Sequence, residues 1–362
     1  MTRQAGGGSE LLGLGRESLA TRLAPHLDRP FRARQIFDAI HLRAVTDFSE
    51  MTDLSRPLRE ELAAAFAISL PEVSSRVDSA DGTTKFLLRL ADGASIEAVD
   101  IPETKRRTLC ISSQAGCGLA CAFCVTGYWG AGRNLTAGEI VAQVLLVRRL
   151  QNLPPTLNLV FMGMGEPLLN VESVHTALEL LSESISWRRM TVSTAGVVPG
   201  LDAMAAWDRR PNLAISLHAP DDARRDEIMP INRSYPLAEL LDALRRFPLE
   251  PRRRITIEYI LLAGFNDSPG DAAALARLLR KIPVKINLIP FNPDPVLGDR
   301  FVRPSPESIS RFQEELAARH LTATVRRTRG DDVGAACGQL RAFAREPRAR
   351  NPRRPPRGEF RS

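Results

Sequence analysis

Three cysteines fall within eight residues, in Cys117-Gly-Leu-Ala-Cys121-Ala-Phe-Cys124. Thiolates favour soft metals, and three so closely spaced can ligate three irons of a 4Fe-4S cube while the fourth stays open to an outside ligand. An open iron of that kind can pass an electron to a bound molecule and start radical chemistry. A structural zinc site would require a fourth protein ligand. No histidine lies between Cys117 and Arg133, and Cys110 is the one other candidate. Buried apolar cysteines are the plainest alternative. Five cysteines is an odd number for a disulfide framework, and their clustering is more typical of metal ligation in a reducing compartment.

The elements that must position this triplet change character along the chain. Residues 16–66 read as short helices, with Leu19, Leu23 and Leu27 at spacing four and a second apolar face from Ile36 to Ile40. Residues 75–100 hold two Asp-Gly pairs, Asp81-Gly82 and Asp92-Gly93, around an alternating run from Lys85 to Leu90, which predicts an antiparallel meander. Beyond residue 103, β-branched apolar runs at 108–113, 157–162, 190–194, 213–217, 255–262, 285–289 and 321–325 alternate with helical stretches. Thr136 and Glu139 form a capping box before 140–150, and Ser305-Pro306 is an N-cap followed by proline. This alternation implies an α/β fold with parallel strands in a partial or full β/α barrel, whose chemistry sits at the strand carboxyl ends. The triplet follows the first of these strands.

With 362 residues and 44% hydrophobic composition, the chain suffices for one large domain and a small one. Residues 1–15 are glycine-rich and lack the apolar stretch of a signal peptide, so a cytoplasmic protein is expected. The strongest apolar run, 140–147, is far short of the roughly 20 residues that span a bilayer, and it reads as a core helix. Of the net charge of +7, +5 falls in residues 345–362, which carry seven arginines and four prolines. That tail should be disordered, either simply solvated or serving as a nonspecific phosphate-binding arm.

The cysteine spacing, with Phe123 before the third thiol, resembles that of the radical S-adenosylmethionine (SAM) superfamily. There the amino and carboxylate groups of SAM chelate the open iron, and electron transfer yields a 5′-deoxyadenosyl radical. In Gly163-Met-Gly-Glu-Pro167 the glycines would let the backbone approach SAM, and Glu166 could accept hydrogen bonds from its ammonium group. From about Phe31 to Leu340 the chain further resembles the RlmN/Cfr family of RNA adenine methyltransferases. The likeness is carried by Arg107-Thr-Leu-Cys110-Ile-Ser-Ser-Gln-Ala-Gly-Cys117, Val192-Ser-Thr-Ala-Gly196, Ala214-Ile-Ser-Leu-His-Ala-Pro220, Asp226-Glu-Ile-Met-Pro-Ile-Asn232, Lys285-Ile-Asn-Leu-Ile-Pro290 and Thr328-Arg-Gly-Asp-Asp-Val-Gly-Ala-Ala-Cys337-Gly-Gln-Leu340.

The resemblance implies a partial (β/α)6 radical SAM barrel over 104–344, and an RNA-binding helical and meander accessory domain over 16–103. A flexible start (1–15) and a basic tail (345–362) would flank them. It implies one 4Fe-4S cluster on Cys117, Cys121 and Cys124, and two SAM molecules per turnover. SAM would be bound by Gly165, Glu166, Ser193, Ser216, Leu217, His218 and Asn292. Cys337 would carry a methyl group from the first SAM, and the second would supply the radical that activates it. Glu97 would accept a proton from the resulting protein–RNA adduct, and Cys110 would release the product by forming a disulfide with Cys337. The expected substrates are adenine carbon 2 in 23S rRNA and in tRNA. An electron donor such as flavodoxin or ferredoxin would be required, and a monomer with no membrane association is expected. Carbon 8 chemistry uses the same five cysteines and is the nearest rival. A methylthiotransferase would bring more cysteines, and a zinc-bearing RNA-binding protein would bring no catalysis.

Overall fold

The computed structural model describes residues 9–104, 106–154, 156–336 and 338–340, so Cys337 and the arginine-rich tail lie outside the described residues. The leucine repeat buries Leu19 and Leu23 of α1 (Arg16–Leu23) against α2 (Phe31–His41). The inward face of α2 is Ala33, Ile36, Phe37 and Ile40, the i, i+3, i+4 stripe of an amphipathic helix. Helix α3 (Arg56–Ala65) adds Leu58 and Leu62. A parallel pair, β1 (Ser9–Glu10) with β2 (Phe66–Ala67), joins the two ends of this module.

The Asp-Gly pairs turn the chain between β3 (Glu72–Asp78), β4 (Thr84–Arg89) and β5 (Ser95–Glu103), as the alternation predicts. β5 then pairs antiparallel with β6 (Arg106–Cys110), which pairs parallel with β7 (Asn158–Phe161). The meander is therefore the antiparallel end of the catalytic sheet, and hydrogen bonding runs unbroken across the boundary expected near residue 103. The parallel series continues through β8 (Met190–Thr194), β9 (Asn212–Ser216), β10 (Ile255–Leu261), β11 (Val284–Pro290) and β12 (Ala323–Val325). Each strand lies beside its sequence neighbour in a ten-stranded sheet that ends at β12 and β3, a partial barrel. Helices fill the crossovers: α4 (Val125–Trp129) and α5 (Ala137–Gln151) follow β6, and α6 (Val171–Leu181) follows β7. Then come α7 (Val198–Ala205), α8 (Asp222–Ile228) with α9 (Leu237–Arg246), α10 (Pro269–Leu278) and α11 (Pro306–Ala318).

The predicted caps start their helices. The Thr136 hydroxyl accepts from the Glu139 amide at 3.1 Å while Glu139 Oε2 accepts from the Thr136 amide at 2.8 Å. Ser305 accepts from the Ser308 amide at 3.2 Å, with Pro306 in the first turn. Helix α5 is buried from Ile140 through Arg148 on nearly every face. The N-terminal segment covers one side of it, backbone against backbone: a Cβ on Gly138 would fall 2.5 Å from the Leu12 carbonyl oxygen, and one on Gly13 2.7 Å from the Gly138 nitrogen. This double coverage explains why 140–147 is apolar at every position but Gln143 rather than striped. Ion pairs of Arg16 with Glu183 at 2.6 Å and of Arg149 with Glu50 at 3.0 Å hold the helical module to the barrel. Among the described residues no helix is long and apolar enough to cross a membrane.

Candidate active site

Two adjoining cavities occupy the carboxyl ends of the parallel strands, where barrel chemistry is expected. The larger has a volume of about 860 Å³, open mouth included, in the range that takes a small-molecule ligand. Cys117, Cys121 and Cys124 form one wall, and Gly165 and Glu166 beyond β7, Ser193 at β8, and Ser216 and His218 at β9 border it. Eight of the residues expected to hold cluster or SAM thus share one chamber.

The cysteine loop is fixed by backbone hydrogen bonds that do not involve the thiols. Cys117 N–H donates to the Gly130 carbonyl at 2.9 Å, Ala122 N–H to Ile228 at 2.8 Å, and Leu135 N–H to Ser113 at 3.1 Å. Burial pushes the Cys117 thiol up to about 12 and raises the Cys121 thiol well above its ordinary value, with the neighbouring thiols adding to the effect. Such thiols are protonated in the bare protein, and a bound cationic metal group supplies the charge that holds them as thiolates. Among the described residues no three His, Cys, Asp or Glu side chains converge to hold a single metal ion. The ligands of a cube bind separate irons and need only share its rim, so the all-sulfur donor set on one cavity wall fits a 4Fe-4S cluster.

Glu166 is fully enclosed, and burial raises its carboxyl against the pull of its hydrogen bonds. Oε2 accepts from the Ala195 amide at 2.7 Å and Oε1 from the Leu168 amide at 2.9 Å. A carboxylate offers about four acceptor positions, so capacity remains toward the cavity. The glycines beside it, which border the cavity, also answer a packing need. A Cβ on Gly165, whose φ is +101°, would lie 2.7 Å from the Gln114 nitrogen, and one on Gly163 2.6 Å from the Ile111 carbonyl carbon. They let this loop lie flat on the segment leading to the triplet, where Ser113 and Gln114 N–H both donate to the Met164 carbonyl. His218 Nδ1 accepts from the Ile260 amide at 3.0 Å, which places the ring proton on Nε2. Burial, helped by Arg225, pulls its pKa down to about 3 and keeps the ring neutral. Leu217, by contrast, is fully buried outside the cavity, its amide donating to the Glu258 carbonyl.

The second cavity, about 480 Å³, is bordered by Cys110, Asn292 and Thr328 and shares Met162, Ile289 and Arg326 with the first. Asn292 faces this smaller chamber, with Oδ1 accepting from Thr328 and Arg303, each at 3.1 Å. Strand register explains where Cys110 points. Val99 on β5 and Val160 on β7 lie opposite Cys110, so all three share one face of the sheet. Glu97 and Ile101, two residues to either side of Val99, point the same way. Ile101 reaches the cavity, whereas Glu97, 1% exposed, does not border it and pairs with Lys85 at 3.5 Å. Cys337 is outside the described residues, but its neighbours bracket both chambers: Ala336 borders the second and Gly338 the first. The segment after it is fastened next to the triplet, with Val125 N–H donating to Gly338 at 2.7 Å and the Thr126 hydroxyl to Leu340 at 2.7 Å. Of the adjacent aromatic pair, Trp129 is half-buried and Tyr128 is exposed.

Three charged residues of the site carry no motif signal. Arg225, fully buried, donates to Asn232 Oδ1 at 2.7 Å and to the carbonyls of Ala195, Leu217 and Ser216, and its positive charge favours the ionised form of Cys121. Glu258 borders the large cavity and accepts from Asn287 at 2.8 Å. Arg326 stands where the two chambers meet.

A sulfur wall facing a glycine-glutamate loop at the open end of a partial β/α barrel defines a radical SAM protein, and the family model for the radical SAM superfamily matches residues 111–276. A second model, for the N-terminal domain of ribosomal RNA large subunit methyltransferase, matches residues 9–68. The chain is 50% identical over 344 residues to the dual-specificity RNA methyltransferase RlmN of Anaeromyxobacter dehalogenans (strain 2CP-C), covering 92% of each. It is 49% identical over 353 residues to that of Halorhodospira halophila (strain DSM 244 / SL1), covering 96% of this chain and 97% of the relative. A crystal structure of a radical SAM methyltransferase from Sphaerobacter thermophilus superposes with a TM-score of 0.87 at 44% identity, covering 92% of this chain and 99% of that one. The chain belongs to the family of dual-specificity RNA methyltransferase RlmN.

Proposed function

We propose that this chain methylates carbon 2 of an adenine in 23S rRNA and in tRNA, with Cys337 as methyl carrier and Cys110 as the thiol that frees the product. The observation that carries the reading is the pair of adjoining chambers, one walled by the cysteine triplet and the other by Cys110, with the neighbours of Cys337 on each. When bound, the cluster supplies the single electron that cleaves SAM and recovers one later in the cycle. Cys117, Cys121 and Cys124 would hold it. Gly165, Glu166, Ser193, Ser216 and His218 would surround SAM, with Leu217 and Asn292 supporting them from behind and beside.

The amidine carbon of adenine is electrophilic and refuses direct attack on the electrophilic methyl of SAM, so the methyl must first be carried by the protein. The Cys337 sulfur displaces it from one SAM. After a radical from a second SAM has removed one hydrogen, the carrier carbon adds to the ring and bridges Cys337 to RNA. Glu97 takes the ring proton, the C–H electron pair stays in the ring, and the unpaired electron left by the addition departs as the one the cluster would recover, which restores the ring. The Cys110 thiolate then attacks the Cys337 sulfur. The sulfur–carbon bond breaks, its electron pair stays on carbon, a proton completes the methyl group, and the two sulfurs remain as a disulfide. A two-electron thiol reductant reopens it, and an electron donor such as flavodoxin or ferredoxin recharges the cluster. The helical and meander region, residues 16–103, would help seat the RNA.

Deleting the gene is expected to remove 2-methyladenosine from nuclease digests of both 23S rRNA and tRNA, measured by mass spectrometry. Persistence of 2-methyladenosine with loss of 8-methyladenosine would move the target to carbon 8.

A further inference from the structure

The meander holds the chain that leads to Cys337 at several points. Ser79 donates to Asp332 Oδ1 at 2.6 Å, the Ala80 amide to Asp332 Oδ2 at 3.2 Å, and the Gly330 amide to Asp81 Oδ2 at 3.1 Å. One further contact differs in kind. Lys85 is 10% exposed at its side chain, and its Nζ donates to the Gly334 carbonyl at 3.1 Å while lying 3.5 Å from Glu97 Oε1. Register places this cation on the active-site face, because Lys85 lies opposite Val99, which lies opposite Cys110. Glu97, paired with Leu87, is the diagonal neighbour of Lys85, within reach of a long side chain. The backbone of Glu97 is tied to the other side of the site: its carbonyl accepts from Ser112 Oγ at 2.7 Å, and that oxygen accepts from the Met164 amide at 2.9 Å. Glu97 is thus anchored to the SAM loop by its main chain and to the Cys337 loop through Lys85.

We propose that Lys85 is the positioning residue for proton removal, holding Glu97 as a carboxylate and fixing it in register with the loop that carries Cys337. The inference rests on Glu97 being the proton acceptor. Before transfer, the ammonium group balances a carboxylate that has almost no water around it, a charge that is costly to bury alone. On transfer, one proton moves from the adduct ring carbon to a Glu97 oxygen and the C–H electron pair stays in the ring, while the unpaired electron of the adduct is the one the cluster would recover. Lys85 then keeps its bond to the Gly334 carbonyl, which holds the loop in place while Cys110 attacks.

The role separates from a merely structural one by where the reaction stops. Full-length, cluster-loaded protein is incubated with SAM, reductant and unmodified 23S rRNA. Released methylated RNA, 5′-deoxyadenosine and covalent protein–RNA adduct on denaturing gels are then followed for Lys85→Met, Lys85→Arg, Glu97→Gln and the double variant Lys85→Met/Glu97→Gln. Glu97→Gln and Lys85→Met should both accumulate adduct, and release should fall by about tenfold or more in Lys85→Met, an amount a charge-paired buried contact can carry. Lys85→Arg should restore release. The double variant removes both buried charges, which keeps the test valid if Lys85→Met alone does not fold, and it should release no less than Glu97→Gln because the two residues act as one unit. Adduct in Glu97→Gln but free turnover in Lys85→Met sinks the Lys85 proposal alone, as does joint loss of adduct and 5′-deoxyadenosine in Lys85→Met or slower release in the double variant. Free turnover in Glu97→Gln removes the reading of Glu97 and this proposal with it.

Discussion

Alanine at Cys117, Cys121 or Cys124 should abolish the cleavage of SAM to 5′-deoxyadenosine, with a loss of about a thousandfold or more, while the protein stays folded. A loss of that size corresponds to about 4 kcal/mol of barrier, far more than one polar contact supplies. It is expected because each thiol would anchor a different iron, and a cube missing one of its three protein ligands would lose the geometry that leaves a single iron open. Folding should survive because the loop is held by main-chain bonds, such as those from Cys117 N–H to Gly130 and from Ala122 N–H to Ile228, and not by the sulfurs. Iron and sulfide analysis of anaerobically purified variants, set beside their melting curves and 5′-deoxyadenosine yields, checks each part. Stoichiometric zinc without iron in the unaltered protein would end the cluster reading.

The second large effect belongs to Cys110. Cys110→Ala should lower the release of methylated RNA by about a hundredfold, since the nucleophile of the last step is gone, and protein should remain covalently bound to RNA. Cys110 lies in the second chamber, separated from the sulfur wall by residues the two chambers share. Early steps that use the triplet and SAM residues therefore do not pass through its thiol. Removing one buried sulfur costs about 1 kcal/mol of packing, too little to unfold a domain. Denaturing gels with labelled RNA give the measurement, and free turnover by this variant would show that another group resolves the adduct.

Some of this architecture is visible in residue order because local rules govern it. The seven β-branched runs beyond residue 103 coincide with β6 to β12 to within a few residues, and the Thr136–Glu139 capping box opens α5 where expected. The triplet is local too, as three ligands on one loop must be. What stays hidden depends on contacts between distant segments. Arg225 sits among Arg224, Asp222 and Asp226 in a stretch that reads as a solvated helix face, yet it is fully buried because three carbonyls at the ends of β8 and β9 need a donor. Glu258 is a single charge on an apolar strand and Arg326 is the first of several arginines that follow β12, and nothing beside either announces a cavity. Gly163 and Gly165 are conspicuous in the sequence, but the close approach that demands them is to Ile111–Gln114 and cannot be read from the loop itself. Lys85 looks like the outward residue of an alternating strand, and only the pairing of β4 with β5, and of β5 with β6, places it on the face of Glu97 and Cys110.

The carrier mechanism is tested most directly by supplying SAM whose transferable methyl group carries three deuteriums. If the methyl first rests on Cys337 and loses one hydrogen to the SAM-derived radical, the recovered 2-methyladenosine must carry two deuteriums and 5′-deoxyadenosine must carry one. Product with all three deuteriums intact, and 5′-deoxyadenosine with none, would mean direct transfer to the base and would contradict the account.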